Sequence, residues 1–221
     1  VVDITNFILH ELGQPLHAFD ADEIIGKKVI VKNLPNESAF ITLDEKERKL
    51  DGEDLMICND KEGMCIAGVF GGIKSGVKET TKNIFLESAC FNPISIRKTS
   101  KRHDLRTDAA TRFEKGVDPN IGVYALKRAA LLIKELAGGQ IASEIVDVYP
   151  NKVECPEVKV RFKRVNLVIG NDIPTQKVVD ILANMDMETV EKTDEYIIVK
   201  VPTNKVDVLR EIDVIEEILR I

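Results

Sequence analysis

The pattern of apolar and polar positions predicts a short helix at the start of the chain. Its apolar residues recur every three or four positions, at Ile4, Phe7, Ile8 and Leu12, which is the spacing of one helix face. Gly13 and Pro15 follow and end the helix, because glycine closes helices and proline cannot continue them. A loop then carries the chain to His17.

Apolar runs predict strands in the next part of the chain, at 28–31, 40–43, 55–58, 64–70 and 83–89. Pro93 stands where it suits the first residue of a helix, and Thr107 or Asp108 can cap a second, short one. A long amphipathic helix over 119–136 and a returning strand over 141–149 complete this part.

The stretch 150–156 has two prolines and little apolar pattern, so we place a domain boundary between residues 155 and 156. Residues 1–155 then form one domain and residues 156–221 a smaller one. The pattern of the smaller domain predicts a strand, a helix, a hairpin and a final helix, at 159–164, 176–185, 187–201 and 209–221. The expected fold class is α+β: a mixed-sheet domain with packed helices, followed by a small winged-helix-like α/β domain.

Charge adds one local feature to this picture. The chain of 221 residues carries a net charge of −6, yet the stretch Arg97–Asp118 has seven lysines and arginines against four acids. A basic stretch in an acidic protein holds an anion or buries ion pairs. The overall acidity argues against bulk nucleic-acid binding, and no apolar run approaches the roughly 20 residues of a membrane helix.

The four cysteines and the chain's first residue bear on the compartment. No CxxC spacing is present, which makes a zinc site improbable. Scattered cysteines in an acidic chain without a signal peptide indicate a reducing cytoplasm. The chain starts at Val1 and stops within an amphipathic pattern, so we expect a fragment of a longer protein.

Two side chains are candidates for chemistry, each with an ordinary alternative. Glu87 lies within an apolar run, and buried glutamate is uncommon unless it is paired. It is either a structural ion-pair partner or the acceptor of a ligand's hydroxyl or amine. His17 lies in a loop shaped by glycine and proline, where a satisfied hydrogen-bonding side chain is the commoner reading.

Glycines and acids form two further candidate groups. Gly68 and Gly71 follow a strand without the spacing of a phosphate loop, and they suit a tight turn or a close backbone approach. The last helix presents Asp213, Glu216 and Glu217 on one face. Such a face is either solvated or holds a hard cation such as Mg²⁺.

Four segments together resemble the beta subunit of bacterial phenylalanyl-tRNA synthetase: ELGQPLHAFD, CIAGVFGG with SGV, FLESACFNP and LRTDAATRFEKGVDP. They fall in the family's order and spacing, and the resemblance covers the whole chain. It implies an editing module up to about Cys155 and the small domain that follows it in the family. The parent enzyme is a ligase that joins phenylalanine to its tRNA with ATP, and the module hydrolyses tyrosine wrongly esterified to that tRNA.

The resemblance also implies roles for individual residues. Glu87 corresponds to the glutamate that recognises the tyrosine hydroxyl, and His17 corresponds to the histidine near the ester. Thr107 corresponds to a residue of the pocket wall. The expected catalytic residues are these three. The expected substrate-binding residues are Thr5, Asn6, Gly68, Gly71 and Ala109.

Cofactors and partners follow from the same resemblance. Magnesium is expected at Asp207, Asp213, Glu216 and Glu217, shared with the alpha subunit. ATP is used by the full enzyme and not bound by this fragment. The expected partners are tRNA(Phe) and the alpha subunit, in a cytoplasmic heterotetramer of two alpha and two beta subunits. No association with a membrane is expected.

Three residues depart from the family's pattern. Asp104 stands where glycine is usual, and Lys115 and Lys205 replace common arginines. A lysine cannot form the two parallel hydrogen bonds that an arginine guanidinium group forms. A second hypothesis therefore remains open: a non-enzymatic module for tRNA positioning or subunit assembly with a decayed editing pocket. A third, a phosphate-binding protein, is weakened because no phosphate loop is present.

Overall fold

The computed structural model describes residues 1–221 and divides them into two compact units, Val1–Asp147 and Val148–Ile221. The helices are α1 Val2–Leu12, α2 Pro93–His103, α3 Asp108–Lys115, α4 Gly122–Ala137, α5 Phe162–Ile169, α6 Thr175–Asn184 and α7 Glu211–Leu219. The strands are β1 Leu16–Asp20, β2 Ile30–Asn33, β3 Ala39–Ile41, β4 Glu47–Lys49, β5 Leu55–Cys58, β6 Gly63–Ile66, β7 Phe70–Gly71, β8 Ile84–Ser88, β9 Glu157–Arg161, β10 Glu188–Lys192 and β11 Tyr196–Lys200. The expected α+β class is confirmed.

Three small sheets make up the strand part of the first unit. One has the order β2-β5-β6-β7, β3 pairs with β4, and β1 pairs with β8. All of these pairs are antiparallel, so the sheets are antiparallel where a mixed sheet was expected. The predicted run 64–70 is two strands rather than one, because a turn with a left-handed Gly68 separates β6 from β7.

Helices α1 and α4 cover one face of the β1–β8 pair. Ile4, Ile8, Ala125 and Ala129 are buried there with Leu86 of β8 against them. The fully buried side chain of Ile8 contributes about 1.5–3 kcal/mol to folding. Because side chains alternate along a strand, the neighbours of Leu86 point to the other face, toward the larger sheet.

Local sequence signals account for the helix ends around the basic stretch. Pro93 is the first residue of α2, as predicted, and the side chain of Asn92 accepts hydrogen bonds from the following backbone. Thr107 caps α3 by accepting from the N–H of Ala110 at 3.1 Å, again as predicted. Asp104 closes α2 in the left-handed conformation, with φ 52°, which is a backbone conformation that glycine adopts without strain.

The second unit builds its own core. Strands β10, β11 and β9 form an antiparallel sheet in that order, and the predicted hairpin and final helix are present as β10–β11 and α7. Val160, Val165, Leu182, Ile197 and Val214 are fully buried between the sheet and helices α5–α7. This compact unit begins at Val148, a few residues before the domain boundary expected after residue 155. The domain boundary itself stays a prediction.

Three sequence predictions are wrong in detail. His17, expected in a loop, lies in strand β1, because the segment pairs with β8. The run 141–149 forms no strand, and its Val146 and Val148 are 87% and 82% exposed. Its β-branched residues find no partner strand, and a lone strand is not stable. The strand predicted over 159–164 ends at Arg161, where α5 begins, because Phe162 and Val165 turn into the core at helical spacing.

Candidate functional site

Strands β1 and β8 place the two candidate side chains opposite one another. Their antiparallel register pairs His17 directly with Glu87, and cross-strand partners project from the same face of a sheet. That face carries Phe19 as well, whose ring meets the imidazole edge-on at a centroid distance of 4.4 Å. The sequence alone did not show this pairing, because seventy residues separate the two positions.

His17 is a half-buried histidine with a buried, unsatisfied nitrogen. Its Nε2 has no hydrogen-bond partner and no exposed surface. Burial lowers the pKa of His17 from 6.5 to about 4, since a charged imidazolium loses its hydration there. The ring is therefore neutral at pH 7, and the reading as a satisfied structural histidine does not hold.

Glu87 is a half-buried carboxyl group without a cation beside it. Burial raises its pKa from 4.5 to about 7, and no hydrogen bond or ion pair offsets that rise. The expectation of a structural ion pair with a nearby arginine is therefore wrong. The carboxylate lies near Cys65, since its charge helps to raise the pKa of that thiol after burial itself. A carboxyl group in this setting accepts or donates a hydrogen bond near neutral pH.

We expect the two titrations to oppose each other in the pH dependence of stability. Between pH 4 and 6.5 the unfolded chain binds a proton at His17 that the folded chain lacks, so this contribution to stability rises with pH. Between pH 4.5 and 7 the folded chain holds a proton at Glu87 that the unfolded chain lacks, so this contribution falls with pH. The two slopes offset each other in the wild type.

Single variants separate the two slopes. For His17→Gln, the free energy of unfolding relative to wild type falls as the pH rises through the shared window, by at most about 1.4 kcal/mol per pH unit. For Glu87→Gln, the same difference rises. Urea unfolding at several pH values between 4.5 and 6.5 measures both. Differences that stay constant with pH would show that neither group is perturbed by folding.

A cleft of about 200 Å³ gathers four of the other expected site residues. Its walls include Thr5 and Asn6 from α1 and Thr107 and Ala109 at the start of α3, together with Leu16 at the beginning of β1. The residue that follows Leu16 is His17, so the cleft lies next to the strand that carries the imidazole. Segments far apart in sequence thus contribute to one concave surface.

The threonines of this cleft use their hydroxyl groups internally. Thr107 donates to the carbonyl of Val69 at 2.9 Å while it caps α3, and Thr5 donates to the carbonyl of Val2 at 2.7 Å. Thr107 therefore shapes the wall, and its hydroxyl is committed to the backbone. Asn6 is exposed on α1, and Ala109 is small and half-buried, which leaves room beside it.

The expected glycines are sites of close backbone approach. Gly68 has φ 68°, and a Cβ there would lie 2.7 Å from Phe91 and 3.0 Å from Phe113. A Cβ on Gly71 would lie 3.0 Å from Cε1 of His17. Gly68 is thus required by the turn and the core beneath it, while Gly71 lets the backbone of β7 reach the imidazole.

The basic stretch is anchored by an aspartate that the sequence analysis missed. Asp54 is fully buried before β5 and accepts hydrogen bonds from the Thr99 hydroxyl at 2.9 Å and from the ring of His103 at 2.6 Å. Arg102 pairs with the same carboxylate. Burial alone would raise the pKa of Asp54, but the hydrogen bonds from Asp51, His103 and Thr99 outweigh it, and the pKa lies below its usual range.

Internal acids thus account for part of the positive charge, and the remaining cations stay free. Exposed side chains without an ion pair follow further along the stretch, at Lys101, Arg106, Arg112 and Lys115. An acidic residue just before a strand, as in Asp54-Leu55-Met56-Ile57, is the only signal of the anchor in the sequence. A carboxylate at that place is ordinarily a solvated turn residue.

The four acids expected to bind magnesium do not converge in this chain. Glu217 is buried and pairs with Lys205 at 2.6 Å and with Arg220, while Asp213 accepts from the backbone of Arg210 at 2.9 Å and pairs with its side chain. Asp207 and Glu216 are exposed. No group of three or more potential ligands is close enough to hold a metal, so the donors present do not fit a resident ion.

No helix in the structure has both the length and the apolar character needed to cross a membrane.

Two family models match the chain: the B3/4 domain over residues 1–138 and the tRNA synthetase B5 domain over residues 158–221.

Curated relatives match along the whole chain. It is 53% identical to the phenylalanine–tRNA ligase beta subunit of Bacteroides thetaiotaomicron and 52% identical to that of Bacteroides fragilis, over 221 residues in each case. The corresponding subunit of Geobacter sulfurreducens is 42% identical. The chain spans 27–28% of the length of these relatives. The resemblance that the four motifs indicated is confirmed.

Among solved structures, an N-terminal fragment of the phenylalanyl-tRNA synthetase beta subunit from Pyrococcus horikoshii aligns with 99% of the chain and 64% of its own length. The identity is 14% and the TM-score is 0.49.

Proposed function

Because the chain belongs to the B3/4 domain family and is similar throughout to phenylalanine–tRNA ligase beta subunits, we propose that its first unit hydrolyses tyrosine wrongly esterified to tRNA(Phe). One observation carries the proposal. His17 and Glu87 face the same side of the β1–β8 pair, where Nε2 of His17 is buried without a hydrogen-bond partner and burial raises the pKa of the Glu87 carboxyl to about 7. Buried polar atoms are ordinarily satisfied, so an unsatisfied nitrogen beside a carboxyl group suits a ligand.

Selectivity for tyrosine follows from the carboxyl group of Glu87. A hydrophobic synthetic pocket rejects an analogue that adds only a hydroxyl by about 10²-fold, so a second site is needed. In that second site the phenol hydroxyl hydrogen-bonds to Glu87, whereas phenylalanine leaves the carboxyl group desolvated and unpaired. The small side chain of Ala109 leaves space for the ring.

The reaction requires a water molecule and two bond changes. Water attacks the carbonyl carbon of the ester, the bond from that carbon to the ribose oxygen breaks, and the proton passes to the ribose oxygen. Tyrosine and free tRNA are released. A neutral imidazole at His17 hydrogen-bonds the water through Nε2 and orients it, and positioning of this kind supplies much of such a barrier.

The wider setting is proposed from the same relatives. The partners are tRNA(Phe) and the alpha subunit, in a cytoplasmic assembly of two alpha and two beta chains that uses ATP and Mg²⁺ for aminoacylation. The acids of the second unit take part in magnesium binding only if the alpha subunit displaces their cations, because Glu217 and Asp213 are engaged in this chain. No step of the hydrolysis depends on them.

A module that positions tRNA without hydrolysing it is the alternative. The observation that favours it is the commitment of the Thr107 and Thr5 hydroxyls to the backbone, which removes two candidate groups from the reaction. Such a module would not hydrolyse the tyrosyl ester, but it would still require the free cations of the basic stretch.

The test compares two histidines in the complete alpha–beta enzyme. We expect His17→Ala to slow deacylation of tyrosyl-tRNA(Phe) about tenfold through lost positioning of water, and His10→Ala, on the exposed side of α1, to leave it unchanged. Release of labelled tyrosine from preformed ester gives the rate. A wild-type rate in His17→Ala contradicts the site assignment, and no hydrolysis by wild type supports the positioning module.

A further inference from the structure

The turn between β3 and β4 places an exposed apolar side chain beside His17. Leu43 is 46% exposed, yet its methyl groups lie against two glycine backbones. A Cβ built on Gly71 would stand 2.8 Å from Cδ1 of Leu43, and one on Gly76 would stand 3.0 Å from Cδ2. The same point on Gly71 is 3.0 Å from Cε1 and 3.4 Å from Nε2 of His17. Leu43 and the imidazole edge therefore both lie beside the bare Cα of Gly71.

The backbone, and not the packing of Leu43 itself, holds the side chain in this place. The N–H of Leu43 donates to the carbonyl of Gly71 at 3.0 Å. Next to it, the buried hydroxyl of Thr42 bonds to Asp44 at 2.5 Å and accepts from Nε of Arg48 at 3.0 Å. A turn braced at these points presents Leu43 in a defined position.

Leu43 has no evident role in folding. It belongs to none of the buried apolar clusters, and half of its surface is in water. Its methyl groups lie beside the glycine backbones on the His17 side. A large apolar side chain that stands in solvent next to a buried, unsatisfied nitrogen excludes water from that nitrogen.

We propose that Leu43 is a positioning residue of the hydrolytic site: its side chain keeps bulk water from His17. The inference rests on the proposed function and adds a residue to it. With Leu43 in place, the water that reaches Nε2 is one confined with the substrate, and its orientation is therefore restricted. Without Leu43, bulk water hydrogen-bonds the nitrogen and competes for that position.

Titration of the chain by NMR tests the shielding directly. The chain has three histidines, so the ring signals are readily assigned. In Leu43→Ala we expect the pKa of His17 to move from about 4 toward 6.5. Leu43→Met retains an apolar side chain of similar size, so the pKa of His17 stays near 4. Glu87 faces the ring across the strand pair, so the titration is repeated in the Glu87→Gln background to separate the two groups.

Ile41→Ala is the matched control. Ile41 lies two residues earlier, is 44% exposed, and makes no contact with Gly76, so its loss leaves His17 unchanged.

In the complete enzyme, Leu43→Ala lowers kcat for tyrosyl-tRNA hydrolysis about tenfold with little change in KM, and Leu43→Met restores it. An unchanged His17 titration in Leu43→Ala overturns the proposal, as does an altered titration with unaltered kcat. A wild-type enzyme that hydrolyses nothing overturns the proposed function instead, and the titration still decides whether Leu43 shields His17.

Discussion

Replacing Glu87 by alanine lowers kcat/KM for hydrolysis of tyrosyl-tRNA(Phe) by about 10- to 100-fold in the complete enzyme, and leaves phenylalanyl-tRNA(Phe) nearly unaffected. The reason is that a hydrogen bond to a charged group is worth about 1.5–3 kcal/mol, and only the tyrosyl ester carries the hydroxyl that forms it. Both rates come from release of labelled amino acid from preformed ester.

The comparison of the two esters separates recognition from structural damage. Glu87→Gln retains an acceptor oxygen and the side-chain shape, so its loss is smaller than that of the alanine variant. Glu79→Ala, an exposed glutamate on the preceding loop, serves as the control and behaves as wild type. Equal losses for both esters would assign Glu87 to the structure of the site, and no loss for either would remove it from the site.

Replacing Asp54 by alanine lowers the free energy of unfolding by about 3–5 kcal/mol, the usual loss when one partner of a buried charged pair is removed. The carboxylate itself is fully buried and bonds to Thr99, Arg102 and His103. Its loss leaves the Thr99 hydroxyl and the His103 ring without this partner, while Arg102 keeps its pairs with Asp51 and Glu53, and it releases the end of α2 from the sheet. Urea unfolding at pH 7 measures the change.

The stabilisation also has a defined pH dependence. Because the folded pKa of Asp54 lies below its usual value, the contribution is present above the unfolded pKa and is lost as the pH falls through the folded one. Glu53→Ala is the control: Glu53 is 66% exposed and pairs with Arg102 at 3.7 Å, so its removal changes stability by less than about 1 kcal/mol. Similar losses for both variants would show that burial of Asp54 does not matter.

Secondary structure was predictable wherever a local signal was sufficient. The proline at 93, the capping Thr107 and the helical spacing in α1 act through the backbone within a few residues, and the structure confirms each. The run 141–149 failed because strand formation needs a partner, and its composition contains no information about whether one is available.

The candidate site was identified only as a set of residues. The resemblance indicated His17, Glu87 and the wall residues, but it did not show which polar groups lack partners. The pairing of His17 with Glu87 depends on the register of two strands seventy residues apart. Leu43 had no signal in the sequence, because its contact with Gly71 exists only where the β3–β4 turn crosses β7.

The sequence by itself therefore determined all the helices except α5, the α+β class, the family and the residue types of the site, because these follow from local spacing and motif order. Only the tertiary structure decided what those residues do. Burial turned Glu87 from an ion-pair candidate into an unpaired carboxyl group and made His17 neutral. It also assigned part of the basic stretch to Asp54 and the acids of α7 to their own cations. Solvation and partner distance set these properties, and both depend on chain segments that are remote in sequence.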